Sequence, residues 1–342
     1  MMHDSRYDSV RFFATLLIVI HHFITTCNEN SIPVFRAAET INLRLEMGGV
    51  GVGMFFTLSG ALLWKGNKKE LSVKEFYRKR ANRILIPYWI ATVILLPLVY
   101  LGTPGVFQNI LKCGAGNIIS FLGLYYTISF WNQLGIKPGI MIAGEWFTTV
   151  IIILYCLYPI LNWLFKRRRI TATVFITIIF LINLSLEILT YHDGYFSLTN
   201  GLMYFWLGML FEEYKNKLNN NIGIISWIAI VVLFFVKPEK MFGVAYLHCF
   251  FLSIAAFIYF YYLNVDGHFS KYICRYNYEI YLLHHRIFLI FMPLFLNQDS
   301  NSVRLVVCFV TLVVFIFILS EKLQKTSNWI EVHVSKLISS KL

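Results

Sequence analysis

Charge is scarce in this chain. Only 14% of its 342 residues are charged, against about 25% in an average soluble domain, which excludes an ordinary soluble globule. Several chemical signatures are missing too. No GxxxxGK[ST], GxSxG, HExxH or EF-hand pattern occurs, so phosphate-loop, nucleophile-elbow, zinc-protease and calcium-loop chemistry lack their marks. The six cysteines show neither CxxC nor metal-ligand spacing. Four of them fall in or near predicted helices or their inner ends, while Cys27 and Cys113 share the predicted outer side, where a disulfide stays open. There is no internal repeat, no low-complexity tract and no stretch polar enough to form a soluble domain.

What the chain does have is apolar length. Hydrophobic residues make up 58% and recur in runs close to the ~20 residues that cross a bilayer as a helix. The expected fold is all-α: a single membrane-embedded domain over 1–342, with about ten spans and no appended soluble domain. The spans read 9–26, 47–64, 84–101, 146–165, 170–190, 198–212, 222–236, 243–263, 278–296 and 303–320, the sixth and seventh being short. A polar, partly helical tail follows at 322–342. Aromatic residues reach 17%, with 20 Tyr and 8 Trp, which suits a membrane interface.

Orientation follows from where the positive charge sits. With the N-terminus inside, the outer segments hold Arg36, Arg44, Lys112, Lys137, Lys237, Lys240 and Arg304. Every other Lys and Arg, apart from the intramembrane Arg286, falls on the inner side, including a dense run from Lys65 to Arg83 and Lys166 to Arg169. Cytoplasmic loops carry such an excess, so both termini are expected in the cytoplasm and the protein in the cell membrane. The net charge of +12 is explained by these loops, not by nucleic-acid binding. The first apolar run is broken by two histidines and has no small-x-small cleavage site, so it reads as an uncleaved first span.

Ionisable groups inside hydrocarbon are costly and mark function. The first span carries Asp8, Arg11, His21 and His22. Arg11 and His22 are eleven residues apart, about 16 Å along a helix and within about 20° of one stripe. The ninth span adds Glu279, His284, His285 and Arg286, the histidines lying at a depth close to that of His22. Adjacent histidines point about 100° apart, so neither pair chelates a metal readily, and no metal is expected. A neutral imidazole suits general-base work instead, because its ordinary pKa of about 6.5 lies near neutrality.

The second span opens GGVGVGMFFTLSG, whose glycines allow either close helix packing or a break that forms a site. In the basic stretch, Ser72 and Glu75 form a capping-box pattern. Val73, Phe76, Tyr77, Arg80 and Ile84 then mark a short helix lying at the inner membrane surface. Lys79, Arg80 and Arg83 suit phosphate groups, although topology control and attraction to anionic lipid also explain them. The outer loop 102–145 is the longest. It carries Tyr125, Tyr126, Phe130 and Trp131 and ends at Glu145; His192 and Asp193 follow in the next outer turn.

RYDSVRFFATLLIVIHH, FFTLSG at Phe55–Gly60, FYRKRANRILIPYW and YNYEIYLLHH resemble, in order, elements of the bacterial integral-membrane acyltransferase family three. The resemblance covers nearly the whole chain. It implies about ten spans and transfer of an acyl group, usually acetyl from acetyl-CoA, to hydroxyls of cell-envelope glycans. The R-x10-H signature falls on Arg11 and His22, with His22 the implied catalytic residue, and RxxR falls on Arg80 and Arg83, implying contact with acetyl-CoA. The chain departs in reading DSVRF where the family often has DGLRG, and it lacks the soluble hydrolase-like domain that some members append.

On that reading the partners are acetyl-CoA, a glycan or lipid-linked saccharide, and membrane lipid. Asp8 steadies Arg11 through an i,i+3 pair, and Ser59 or nearby backbone supplies oxyanion donors. Glu145 and the outer aromatics face the acceptor, and His284 and His285 support the site. The rival reading is a transporter or flippase that uses the buried charges as relays, against which the two halves show no shared hydropathy pattern. The acceptor, the hydroxyl modified and the oligomeric state are not encoded legibly.

Overall fold

The computed structural model describes residues 4–67, 70–102, 105, 108, 112–114, 116–124, 142–144, 146–190, 197–219, 221–236 and 242–339, with side chains at 190, 242–243 and 334–339 excepted. Among these residues there is no strand. The helices are α1 (Ser5–Glu29), α2 (Arg36–Leu45), α3 (Met47–Asn67), α4 (Val73–Gly102), α5 (Gly116–Phe121), α6 (Trp146–Arg167) and α7 (Arg169–Thr190). They continue as α8 (Leu198–Tyr214), α9 (Ile222–Phe235), α10 (Phe242–Leu263), α11 (His268–Arg275), α12 (Asn277–Phe295) and α13 (Ser302–Ser339).

Each of the ten expected spans falls on a helix. Among the described residues seven helices are long and apolar enough to cross a membrane: α1, α3, α4, α6, α7, α10 and α13. At 17 and 14 residues α8 and α9 are shorter. The 19-residue α12 carries Glu279, His284, His285 and Arg286, which lower its hydropathy.

Three expectations change. The surface helix and the third span are one 30-residue helix, α4, which runs through Pro87 and Pro97. Pro87 is buried, and prolines are tolerated in membrane helices where neighbours satisfy the freed backbone. The tenth span and the tail are likewise one helix of 38 residues. The glycine-rich second span is unbroken, so its interior N–H groups close the helix ladder and cannot serve as oxyanion donors. All six cysteines are free thiols, including Cys27 and Cys113.

The chain divides into two compact units, with α1 running from one into the other. The first comprises Met1–His21, Arg36–Val73 and Ile153–Arg275. Its closest helix contact is α3 against α8. A Cβ on Gly60 would lie 1.9 Å from the Phe205 carbonyl oxygen, and one on Gly208 would lie 1.9 Å from that of Thr57. Only glycine allows backbones to approach so closely. Seven residues earlier on the same face of α3, Gly53 packs on Tyr204 of α8 and on Ser253 of α10.

The second unit comprises His22–Phe35, Lys74–Ile152 and Tyr276–Leu342. Phe23 meets Phe288 at 5.5 Å and Phe309 at 4.8 Å between ring centroids, which ties α1 to α12 and α13. Trp89 stacks on Phe121 and donates to its carbonyl oxygen at 2.8 Å, holding α5 to α4.

Candidate active site

The two adjacent histidines of the first span serve different neighbours, in keeping with their 100° offset. In the first unit, His21 places Nδ1 3.0 Å from Asn42 Oδ1, and Gly48 lies so close to the ring that a Cβ there would sit 2.5 Å from it. His21 is a packing histidine held by α2, a helix the sequence reading left as loop.

His22, in the second unit, meets α12. Its ring centroid lies 5.0 Å from that of His284 at an interplanar angle of 62°, and 4.2 Å from that of His285 at 31°. The rings of His284 and His285 are 6.4 Å apart. His22 and the adjacent pair His284 and His285, distant from it in sequence, therefore form one cluster. His284 is buried, with 1% of its surface exposed, while His22 and His285 are half-buried. His284 Nδ1 lies 3.0 Å from the Ile280 carbonyl oxygen and 2.9 Å from that of Tyr281. A carbonyl only accepts, so Nδ1 carries the proton, and in the neutral ring Nε2 is the acceptor. Among the described residues no group of three His, Cys, Asp or Glu is arranged to hold a metal ion.

A non-helical segment is docked beside the cluster. The Gly144 amide donates to the Leu282 carbonyl oxygen at 3.2 Å, and Arg286 Nε donates to that of Ile142 at 3.2 Å. Ile142 and Ala143 are buried, so this irregular backbone is covered by protein. Gly144 has φ +67°, and a Cβ there would lie 2.7 Å from Thr148 Oγ1 and 3.2 Å from Leu282. Sequence reading noted Arg286 but not this role, for which the lone Gly144 before the fourth span is the available signal. Glu145 itself lies outside the described residues, as do Tyr125, Tyr126, Phe130, Trp131, His192 and Asp193.

Toward the N-terminal end of α12, Glu279 is buried. Gln324 of α13 hydrogen-bonds its carboxyl, and the charge of Arg83 acts on it from α4. Arg83 is exposed and Arg80 half-buried, with the Arg80 guanidinium 5.9 Å from the Phe76 ring centre. Three residues apart, they share a face of α4. Lys79 instead pairs with Glu75 one turn back, at 2.6 Å between exposed side chains. Such a pair contributes a few tenths of a kcal/mol.

In the first unit, Arg11 Nη1 donates to Asp8 Oδ1 at 2.6 Å, the i,i+3 pair expected from their spacing. Cys274 donates to the Asp8 carbonyl oxygen at 3.0 Å. Burial pushes its thiol up to about 12, so it is no nucleophile. Ser59 lies half-buried in the middle of α3. A further charge cluster went unread in the sequence: Asp4, Arg6, Tyr7, Lys65, Glu212 and Lys215 converge at the N-terminal end of α1, with the Tyr7 hydroxyl donating to Glu212.

Comparison with known proteins adds two findings. The model of a family described as "Acyltransferase domain" matches residues 4–321. A segment of 64 residues is 34% identical to the exopolysaccharide production protein ExoZ of Rhizobium meliloti (strain 1021), covering 18% of this chain and 20% of that protein. No solved structure matches.

Proposed function

This chain belongs to the acyltransferase domain family, and from that premise we propose that it moves an acetyl group from cytoplasmic acetyl-CoA to a hydroxyl of a cell-surface or lipid-linked glycan. The observation that carries the reading is the imidazole cluster, in which His22 stands half-buried against two further histidines. A positioned imidazole contributes about 10²–10⁴-fold as a general base.

The step is balanced as follows. His22 takes the proton of the acceptor hydroxyl while that oxygen bonds to the thioester carbonyl carbon. The carbon–sulfur bond then breaks, and the CoA sulfur leaves with the proton from the His22 imidazolium. The histidine ends as it began. Arg80 and Arg83 bind phosphates of the donor, since guanidinium matches phosphate oxygens in a bidentate fork. Arg11, held by Asp8, enters this reading through the R-x10-H signature that it shares with His22. Lys79 has the smallest part, because it already has Glu75. The glycan as acceptor draws on the name of ExoZ, a relative matched over a fifth of its length. Donor entry from inside rests on the basic stretch from Lys65 to Arg83, whose second half forms the start of α4.

The test uses purified protein in liposomes with radiolabelled acetyl-CoA and candidate glycans. Label should reach the acceptor, and His22→Ala should lower transfer by about 10²-fold or more while the protein elutes and melts as wild type. Full activity in His22→Ala would remove the catalytic assignment.

A further inference from the structure

We infer that the first unit carries a site for the phosphodiester head of an anionic phospholipid, in a cavity between the start of α1, the start of α9 and the end of α10. The inference uses no residue of the imidazole cluster and does not depend on the role given to His22.

The cavity holds about 590 Å³, within the range of about 300–1,000 Å³ common for ligand sites. Arg6 and Asn264 line it, with Trp227 of α9 and Tyr259 and Tyr262 of α10 in its walls. Gly223, where a Cβ would lie 2.9 Å from the Tyr262 Cβ, sets α9 close against α10. Ile224 and Trp227 are exposed on an apolar helix, so this wall suits acyl chains. Trp and Tyr side chains collect at the level of lipid headgroups.

The polar groups that line the cavity are donors. Arg6 donates through Nε to Asp4 Oδ1 at 3.1 Å, which leaves both outer nitrogens of the guanidinium for another acceptor. Asn264 accepts from the Ser5 hydroxyl through Oδ1 at 2.9 Å, which leaves Nδ2 as a donor. The Trp227 N–H and the hydroxyls of Tyr259 and Tyr262 add three more. Among the described residues no carboxylate lines the cavity.

Charge selects the ligand. Asp4 is shared by Arg6, Lys65 and Lys215, and Lys215 also pairs with Glu212 at 2.9 Å. Glu213 and Arg169 form a separate pair at 3.1 Å. Three cations thus meet two carboxylates, and one positive charge is left over. It reaches the cavity through Arg6, whose side chain is 43% exposed against 23% for Lys65 and 10% for Lys215. A phosphodiester carries one negative charge and offers two oxygens to the guanidinium fork. A phosphomonoester or diphosphate brings more charge than the cluster balances, and a choline head cancels its own. The distribution of Lys and Arg assigns this end of the unit to the cytoplasmic leaflet, where basic pockets between membrane helices take anionic lipid heads.

The experiment places the full-length chain in phosphatidylcholine nanodiscs that contain either brominated phosphatidylglycerol or brominated phosphatidylcholine. The signal is the tryptophan quenching lost in Trp227→Phe, and each variant is measured beside its Trp227→Phe counterpart. Phosphatidylglycerol should reach half-maximal quenching at a mole fraction about fivefold lower, the effect of one basic residue beside an anionic head. Arg6→Gln should bring the two lipids level. Asn264→Asp keeps the acceptor for Ser5 and tolerates the positive φ of +47°, but it sets a carboxylate in the cavity and should reverse the preference. It carries the test even where Arg6→Gln fails to fold. Equal quenching by the two lipids in wild type, or the preference retained in either folded variant, overturns the inference. Displacement by inorganic phosphate, or by polyprenyl phosphate at a lower mole fraction than unlabelled phosphatidylglycerol, overturns the choice of a phosphodiester lipid.

Discussion

Asp4 gathers three cations around one carboxylate: Arg6 at 3.1 Å, Lys65 at 3.2 Å and Lys215 at 3.5 Å. Burial opposes its ionisation, yet the bonds and charges of Arg6 and Lys65 hold it from 3.8 down to about 2. A carboxylate depressed on folding stabilises the native state above its unfolded pKa, and the contribution is lost as pH falls through the folded value. The melting temperature in detergent should therefore show no Asp4 contribution to its slope from pH 8 to 5 and should fall between about 4 and 2. Asp4→Asn should lower the plateau and flatten that acid slope. For Arg80→Ala and Arg83→Ala the expected outcome is a KM for acetyl-CoA raised by about tenfold or more, from the loss of one charge-assisted bond, with kcat little changed. An unmoved KM would return both residues to topology control. His22 was legible as a residue because an imidazole in an apolar run has few explanations. Its contact with His284 was not, since equal depth on two helices leaves their facing angle free.

At the scale of elements, the glycines of α3 decide how near α8 can come. Gly60 and Gly208 face carbonyl oxygens of the opposite helix that a Cβ would meet at 1.9 Å. Gly60→Ala and Gly208→Ala must push the two backbones apart, and overpacking of this kind costs about 1–3 kcal/mol or more. Thermal unfolding followed by size-exclusion fluorescence should show a lowered midpoint for each. Gly105→Ala, where a Cβ meets nothing within 4 Å, should leave it unchanged. Small-residue spacing in GGVGVGMFFTLSG pointed to close packing, but the partner helix could not be read from it, because Gly208 lies in a span with no comparable pattern. The merging of the basic stretch with the third span was hidden for a different reason. The charged face over Val73–Ile84 reads as a helix lying on the membrane surface, separate from a span that starts at 84, and nothing in the pattern shows that the two share one helical backbone from Val73 to Gly102.

For the whole molecule, the donor side of the proposed reaction depends on which way the chain enters the bilayer. Cytoplasmic loops are distinguished by Lys and Arg, and acidic residues contribute little. The run that ends at Arg80 and Arg83 holds more Lys and Arg than any other inner segment, and its second half forms the start of α4, so one stretch serves both as the topological anchor and as the proposed phosphate site. Moving it outside would separate it from the acetyl-CoA pool. Cys113 belongs to the outer loop on this map and is half-buried, whereas Cys274 is buried near the inner end of α12. In intact cells, a membrane-impermeant maleimide should label a variant that retains Cys113 alone. A tag fused after Leu342 should become protease-sensitive only when the membrane is opened. The reverse pattern would place Arg80 and Arg83 outside and remove acetyl-CoA as donor, while leaving membership of the acyltransferase family untouched, because that rests on residues 4–321 as a sequence and not on their orientation.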